Sequence, residues 1–396
     1  MAPHHFSAGR RQLVLAAVAG AATLGVVRPT FAAPRTAAGW TFEALHGFSW
    51  AEGSRAVGNV TFGHNGMLYG VHAAGGEQGL GTLFRWSPAD GSFTVLQHFA
   101  YSDSGPSAPE SGLVLGTDGQ LWGTSSFGGA TFRGTIYALD ADETLTMRCE
   151  FGGDHALFSP QGSLVEGGPG RFYGTTREAV YRFNARTGKL KEIHRFKDGL
   201  DGRGSESALV FGPDGRLYGV NPFGGPGNKP TIFRLAPDGS GFQVLKTLTQ
   251  PIEGAGLAEP LVLASDGWLY GCATSGGAFN RGVAFRLSPA GAYEVIHHFA
   301  GGDNDGAYPR CALVEGPDGA LYGTTVEGGD APQSYGTIFR MARSGKVRLL
   351  HRFDADGAGG STPVGALRFG PDGWLYGTNQ GGSGGSTGVL YRLRAG

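Results

Sequence analysis

The sequence predicts an all-β chain, a seven-bladed β-propeller with four-stranded blades, and three observations carry that prediction. Glycine supplies 73 of the 396 residues and is mixed with Tyr, Phe, Val and Thr, the composition of many short strands joined by tight turns. A Leu-Tyr-Gly motif or a close variant recurs seven times. The two ends of the repeating region carry complementary parts of one repeat. No segment has the apolar periodicity of a long amphipathic helix.

The aromatic residue of the motif is Tyr69, Trp122, Tyr173, Tyr218, Tyr270, Tyr322 and Tyr376, at successive differences of 53, 51, 45, 52, 52 and 54. Within each copy the order of elements is the same. A short apolar segment such as Ala312-Leu313-Val314 opens it, and a turn follows at Asp318-Gly319. Equivalent turns stand at Asn65-Gly66, Asp118-Gly119, Asp214-Gly215, Asp266-Gly267 and Asp372-Gly373, and Asp-Gly or Asn-Gly supplies the positive φ angles of a tight hairpin. Leu321-Tyr322-Gly323 comes next, then a Gly328-Gly329 loop, then Gly336-Thr337-Ile338-Phe339-Arg340. A second turn at Ser344-Gly345 leads to Leu349-Leu350-His351-Arg352-Phe353. That makes four strands per copy, a to d, each with strand-like alternation.

Seven such units close most simply into a ring, which leaves only short protected edges; a linear array would need polar capping repeats. The ends supply the test. Phe42 to Phe48 matches strand d, and Gly388 to Leu393 matches strand c. The last copy lacks its d strand and the first segment is a spare one, so one completes the other.

The region before the repeats reads differently. Arg10-Arg11 precede a mildly apolar, Ala/Gly-rich run from Leu13 to Val27, and Thr30-Phe31-Ala32-Ala33 follows. That is the pattern of a signal peptide over 1–33, with 34–41 as a short linker and 42–393 as the propeller. The paired arginines match a twin-arginine signal in part, with Gly9 at a position usually Ser or Arg and no following Lys. Both export routes stay open, and the expected location is periplasmic or secreted. A net charge of -1 gives no footing for nucleic acid. The Leu13 to Val27 run is too short and too weakly hydrophobic to span a membrane, and no second apolar stretch follows it. The three cysteines, Cys149, Cys272 and Cys311, do not form a disulfide framework. Cys272 and Cys311 could pair across neighbouring blades; three small buried hydrophobes is the simpler expectation.

Leu-Tyr-Gly-Thr-Thr at 321–325, the Gly-Gly loop, Gly-Thr-Ile-Phe-Arg at 336–340 and the His-x-Phe ending resemble the GloVer tandem repeat of exported bacterial proteins. The resemblance covers residues 42–393. It implies the fold and export, and brings no established activity and no catalytic residues. Many members carry a C-terminal sorting anchor; Arg394-Ala395-Gly396 does not match one.

In an a-b-c-d blade the a–b and c–d turns share one face, and the b–c and d–a loops share the other. The a–b turns are uniform here, so the varied loops of the opposite face are expected to carry function. Three residues past each motif aromatic, at the loop end of strand b, stand His72, Ser125, Thr176, Asn221, Ala273, Thr325 and Asn379. Eight residues before each turn Asp, where the chain begins strand a, stand Val57, Glu110, Gln161, Glu206, Ala258, Arg310 and Val364, with Glu259 one step later. On this alignment Glu110, Glu206, Glu259, Arg310 and His72 gather at the channel mouth. Carboxylates, an arginine and a histidine at a cleft suit acid–base work on a polar substrate; the plainer account is polar residues that solvate a water-filled channel. The candidate catalytic set is Glu110, Glu206, His72 and Arg310. The candidate ligand-binding set is Gln161, Glu259, Asn221, Asn379, Trp50 and Tyr308. Around them the same face carries Tyr101, Phe127, Phe132, Phe158, Phe223, Phe279 and Tyr335, rings suited to stacking on sugars or peptides.

Other features read as structure. His46, His194, His297 and His351 share one place on the outer strand, which points to packing. The acidic loops Gly302 to Gly306 and Asp354 to Gly357 have the look of calcium ligands but lack a full oxygen set. Turns account for them, no metal ligand set is assigned and no cofactor motif is present; calcium is the one ion left open. The expected function is an exported propeller, a monomer, that engages an extracellular polysaccharide through its loop face. A polysaccharide lyase or glycoside hydrolase at the channel mouth and a surface-protein scaffold are the alternatives. The third copy has lost its Gly-Gly loop at Arg177-Glu178 and is expected to open one side of that face.

Overall fold

The computed structural model describes residues 35–152, 157–257, 259–329, 335–354, 359–382 and 386–396. The expected signal peptide and Ala258 lie outside the described residues. Seven antiparallel sheets follow one another along the chain, blades 1 to 7, over residues 54–98, 106–150, 165–195, 210–247, 262–298, 306–352 and 361–395. In each the strands stand in sequence order from the inside out, so the fold is a seven-bladed β-propeller.

The ring closes as the chain ends require. Trp40–Phe48 pairs antiparallel with Gly388–Ala395, Phe42 opposite Leu393 and Phe48 opposite Gly388, and supplies the outer strand of blade 7. Residues 34–41, read from sequence as a linker, contain a short strand, Arg35–Thr36, that adds a further edge to blade 6 against His351 and Arg352.

Two repeated devices explain the motif. The motif glycine faces a strand c aromatic directly: Gly70 opposite Phe84, Gly219 opposite Phe233, Gly323 opposite Phe339, and likewise in all seven blades. A Cβ there would fall 2.3 to 2.7 Å from that ring, so the glycine is a seat for the aromatic. The motif aromatic then ties the hairpin below it. Tyr218, Tyr270, Tyr322 and Tyr376 donate to the turn aspartates Asp214, Asp266, Asp318 and Asp372 at 2.7 to 3.0 Å.

The outer strand of every blade carries a one-residue bulge against strand c, which increases local twist. The residue after it is His46, Gln97, Cys149, His194, Lys246, His297 or His351. In three blades this histidine stacks on an aromatic at or near the start of the next outer strand: His46 on Phe93 at 4.1 Å, His194 on Phe242 at 3.7 Å, His351 on Phe42 at 3.9 Å. Lys246 lies over Tyr293 in the same way, 5.2 Å from the ring centre. His46, His194 and His297 also meet Glu52, Asp201 and Asp305 of their own d–a loops at 3.0 to 3.2 Å. These histidines are clasps between blades. The apolar core is divided accordingly among seven clusters of described residues, one at each blade interface. Phe48 of the closing strand sits in the cluster that joins blade 7 to blade 1.

Candidate functional site

A cavity of about 460 Å³ opens where the inner strands converge. Each inner strand starts at the loop face, so its first residues stand highest. Glu110, Gln161, Glu206, Glu259 and Arg310 line the cavity together, as do Val57 and Val364. Later residues on the same strands, Asn59, Val114, Ser163, Ala208, Ala312 and Ala366, line it further along, a mixture of polar and small apolar side chains.

The chain reaches each inner strand through one residue in the left-handed region. These are Arg55 (φ 56°), Ala108 (50°), Ser159 (52°), Gly204 (79°), Gly256 (74°), Tyr308 (55°) and Thr362 (56°). Only two are glycine, although the conformation disfavours side chains, most of all β-branched or bulky ones. The hydrogen bonds of that residue help to hold it. The N–H groups of Ser159, Gly204, Tyr308 and Thr362 donate to carbonyls of Arg133, Arg177, Arg281 and Tyr335 at 2.7 to 3.0 Å, each on the b–c loop of the preceding blade. This turn places Arg55 on the cavity wall, a lining residue that the sequence alignment passed over because it sits two steps before the aligned position.

The charged groups are unequally partnered. Glu110 accepts from the amide of Gln161 at 2.7 Å. Glu206 accepts two guanidinium hydrogens from Arg177 of blade 3, at 2.8 and 3.0 Å. Glu259 is half-buried; burial pushes its carboxyl up to about 7, against the pull of Arg310. Glu259 stands where the other inner strands carry Gly, Ser or Cys, and it lies near the buried thiols of Cys272 and Cys311. Both thiols are free, as is that of the half-buried Cys149. Arg55 and Arg310 are exposed and meet no carboxylate at ion-pair distance among the described residues.

Three expected mouth residues lie elsewhere. His72 is fully buried, its ring 4.4 Å from Phe48 and 4.9 Å from Phe84, with Nδ1 2.9 Å from the Thr82 hydroxyl. Burial holds its pKa down at about 3. Asn221 and Asn379 are fully buried too, and donate to the carbonyls of Asp201 and Gly359. The end of strand b is covered by strand c and by the d–a loop. Its polar side chains therefore satisfy loop carbonyls and cross-strand hydroxyls instead of facing the channel. Ser125 with Thr135 and Thr325 with Thr337, each pair at 2.7 Å, show the same arrangement.

Of the rim aromatics, Trp50 (57% exposed), Tyr101 (73%) and Phe279 (57%) stand furthest out, while Tyr308 and Tyr335 are half-buried. Phe127, Phe132, Phe158 and Phe223 are exposed as well. With Leu200 and Ile252 these seven aromatics are all the exposed large apolar side chains among the described residues. Phe127 stands at the loop end of strand b, in Leu121–Gly128, and the other eight lie on b–c or d–a connections. The opposite face carries none.

Among the described residues, no three His, Cys, Asp or Glu side chains gather as a metal site. In the Gly302 to Gly306 loop, Asp305 accepts from the N–H groups of Ala300 and Gly306 and meets His297, a turn closure. Residues 355–357 of the second acidic loop lie outside the described residues. No described helix is long and apolar enough to cross a membrane.

The model of the Gloeobacter/Verrucomicrobia repeat matches residues 34–180, 179–309 and 253–396, which together span the whole repeating region. The chain belongs to this repeat family. No curated protein matches it in sequence. Among solved structures it is similar to the extracellular domain of BT4673 of B. thetaiotaomicron, described as a hybrid two-component system, with a TM-score of 0.57 at 11% identity. That match covers 88% of this chain and 39% of the other, so the repeat-family chain spans about two fifths of that domain's length. An oligogalacturonate lyase with manganese (TM-score 0.54, 13% identity, 93% and 96% covered) and a chain of the mitotic checkpoint complex (0.54, 15%, 97% and 98%) score alike. A lyase and a checkpoint protein resemble it equally, so these likenesses describe the propeller and nothing of its activity.

Proposed function

We propose that this protein is an exported propeller, periplasmic or secreted and led out by residues 1–33, that binds an extracellular polysaccharide with its loop face. The observation that carries the reading is the confinement, among the described residues, of the exposed large apolar side chains to one face, around a cavity lined by carboxylates, amides and arginines. Isolated aromatic rings beside polar groups suit sugars, which present apolar faces and hydroxyl edges together. A protein-docking face would call for a continuous apolar patch; here the rings are scattered and the centre is polar.

A panel of immobilised polysaccharides tests the proposal. The whole protein is expected to be retained on at least one polymer, and Trp50→Ala with Tyr101→Ala to reduce that retention while the melting temperature stays unchanged. Failure to bind any polymer of the panel would defeat it.

One observation favours a second, catalytic reading. A carboxyl raised to about 7 beside an arginine is placed for proton transfer near neutral pH. In a polysaccharide lyase Glu259 would take the proton next to a sugar carboxylate while Arg310 neutralises that carboxylate. Unsaturated, ultraviolet-absorbing products from a uronic-acid polymer would support this, and their absence from every such polymer would remove it.

A further inference from the structure

We infer that the channel mouth is a subsite for one sugar carboxylate, so that the polymer bound is a uronic-acid polysaccharide; this rests on the polysaccharide reading above. The basis is how charge is sorted around the ring. From blade 2 to blade 5 the upper wall carries Glu110, Gln161, Glu206 and Glu259, an unbroken acidic and amide arc. Blade 6 contributes Arg310 and blade 1 contributes Arg55, on either side of blade 7, whose Val364, Ala366 and uncharged Gln380 line the cavity between them. The mouth is thus polarised across its diameter.

The two sides differ in what they leave free. Glu110 and Glu206 are engaged by Gln161 and Arg177. The guanidinium groups of Arg55 and Arg310 have no carboxylate at ion-pair distance among the described residues, although Glu259 lies within electrostatic reach of Arg310, and both reach the cavity. Guanidinium binds a planar carboxylate through paired N–H groups, and the apolar side chains of Val364 and Ala366 between the two arginines strengthen that attraction. A carboxylate therefore belongs on the blade 6–7–1 side. The glutamates opposite accept hydroxyl hydrogens but repel further anions. One carboxylate and several hydroxyls on each ring describe a uronic acid; a densely sulfated or phosphorylated chain would meet three carboxyl groups.

The walls give such a chain a way out. In blade 3 strands b and c are joined by residues 176–178 alone, whereas in blade 6 the same connection runs over 329–336. Blade 3 lies across the axis from blades 6 and 7. A chain end held at Arg55 and Arg310 can leave over this low wall, beside the Arg177–Glu206 pair.

Titration calorimetry on the whole protein tests the inference. The probes are oligomers of galacturonate, glucuronate and mannuronate, the same oligomers after carboxyl reduction, and sulfated oligosaccharides of matched length. At least one uronate should bind about tenfold or more tightly than its reduced form, the worth of a charge-assisted pair, with affinity that falls as salt rises. Arg310→Ala and Arg55→Ala should each remove most of that difference without altering the melting temperature, and Arg310→Lys should restore part of it. Equal affinity for acidic and reduced oligomers would overturn the carboxylate subsite and leave polysaccharide binding intact. Tighter binding of the sulfated series would also overturn it. No binding of any oligosaccharide, together with an empty polysaccharide panel, would overturn both readings.

Discussion

Gly323 shows how much of this fold rests on single residues. Its hydrogen side chain leaves room for Phe339, whose Cζ would lie 2.7 Å from an added Cβ. Gly323→Ala keeps a conformation that alanine tolerates, so the penalty is overpacking alone, about 1–3 kcal/mol. Chemical denaturation should show that loss with an unchanged denaturant slope. Glu259 is a different case. In the folded protein its carboxyl keeps its proton up to about pH 7, whereas in the unfolded chain it releases it from about 4.5. The native state therefore binds more protons across that window, and stability falls as pH rises through it. Glu259→Gln should remove this decline and gain about 1–2 kcal/mol over the parent at pH 8, allowing for partial exposure. A variant whose stability runs parallel to the parent between pH 4.5 and 8 would contradict the assignment. The inner-strand positions Glu110, Gln161, Glu206, Glu259 and Arg310 were legible because they align by a fixed offset from the turn. His72, Asn221 and Asn379 were misplaced for a physical reason: polarity at a strand end looks the same whether water or a loop carbonyl satisfies it.

At the scale of elements, the closing strand carries more than its share. Phe42 stacks on His351 of blade 6 and lies 5.4 Å from Tyr391 of blade 7, so it joins two blades as well as completing one. Phe42→Ala should cost about 3 kcal/mol, the lower end for a truncated aromatic because the ring is half-buried. Scanning calorimetry should also show the protein losing stability as it is acidified below about pH 6.5, in part through His351. His351 is buried, its Nε2 has no hydrogen-bond partner, and burial holds its pKa at about 3. A histidine kept neutral in the folded state stabilises above its unfolded value of 6.5, and that contribution is lost as pH falls toward 3. The complementary ends were plain from sequence, because each matches a different part of the same repeat. The outer-strand bulge was not. A single inserted residue leaves the alternation on either side looking regular, and only the register against strand c reveals it. The Arg35–Thr36 strand was equally silent, being too short to carry any pattern.

The whole molecule is a nearly regular scaffold with an irregular upper surface. Turns, motif aromatics and seat glycines repeat around the ring, while loop lengths, exposed rings and wall charges do not. Sevenfold repetition explains why the fold could be read from one sequence, since each copy checks the others. It also explains why the candidate site was read only in part, because its wall is made of departures from the repeat and each departure occurs once. Arg55 is an instance, standing off the aligned position on a left-handed residue. The central claim is that ligand binds the loop face at the mouth of the channel. Hydrogen exchange of the whole protein, with and without a saturating uronate oligosaccharide, tests it most directly. Protection is predicted from Trp50 to Arg55 and from Tyr308 to Arg310, where the chain enters the inner strands of blades 1 and 6, and at Arg177, with the Asp-Gly turns unchanged. Protection confined to those turns or to the outer strands would contradict it.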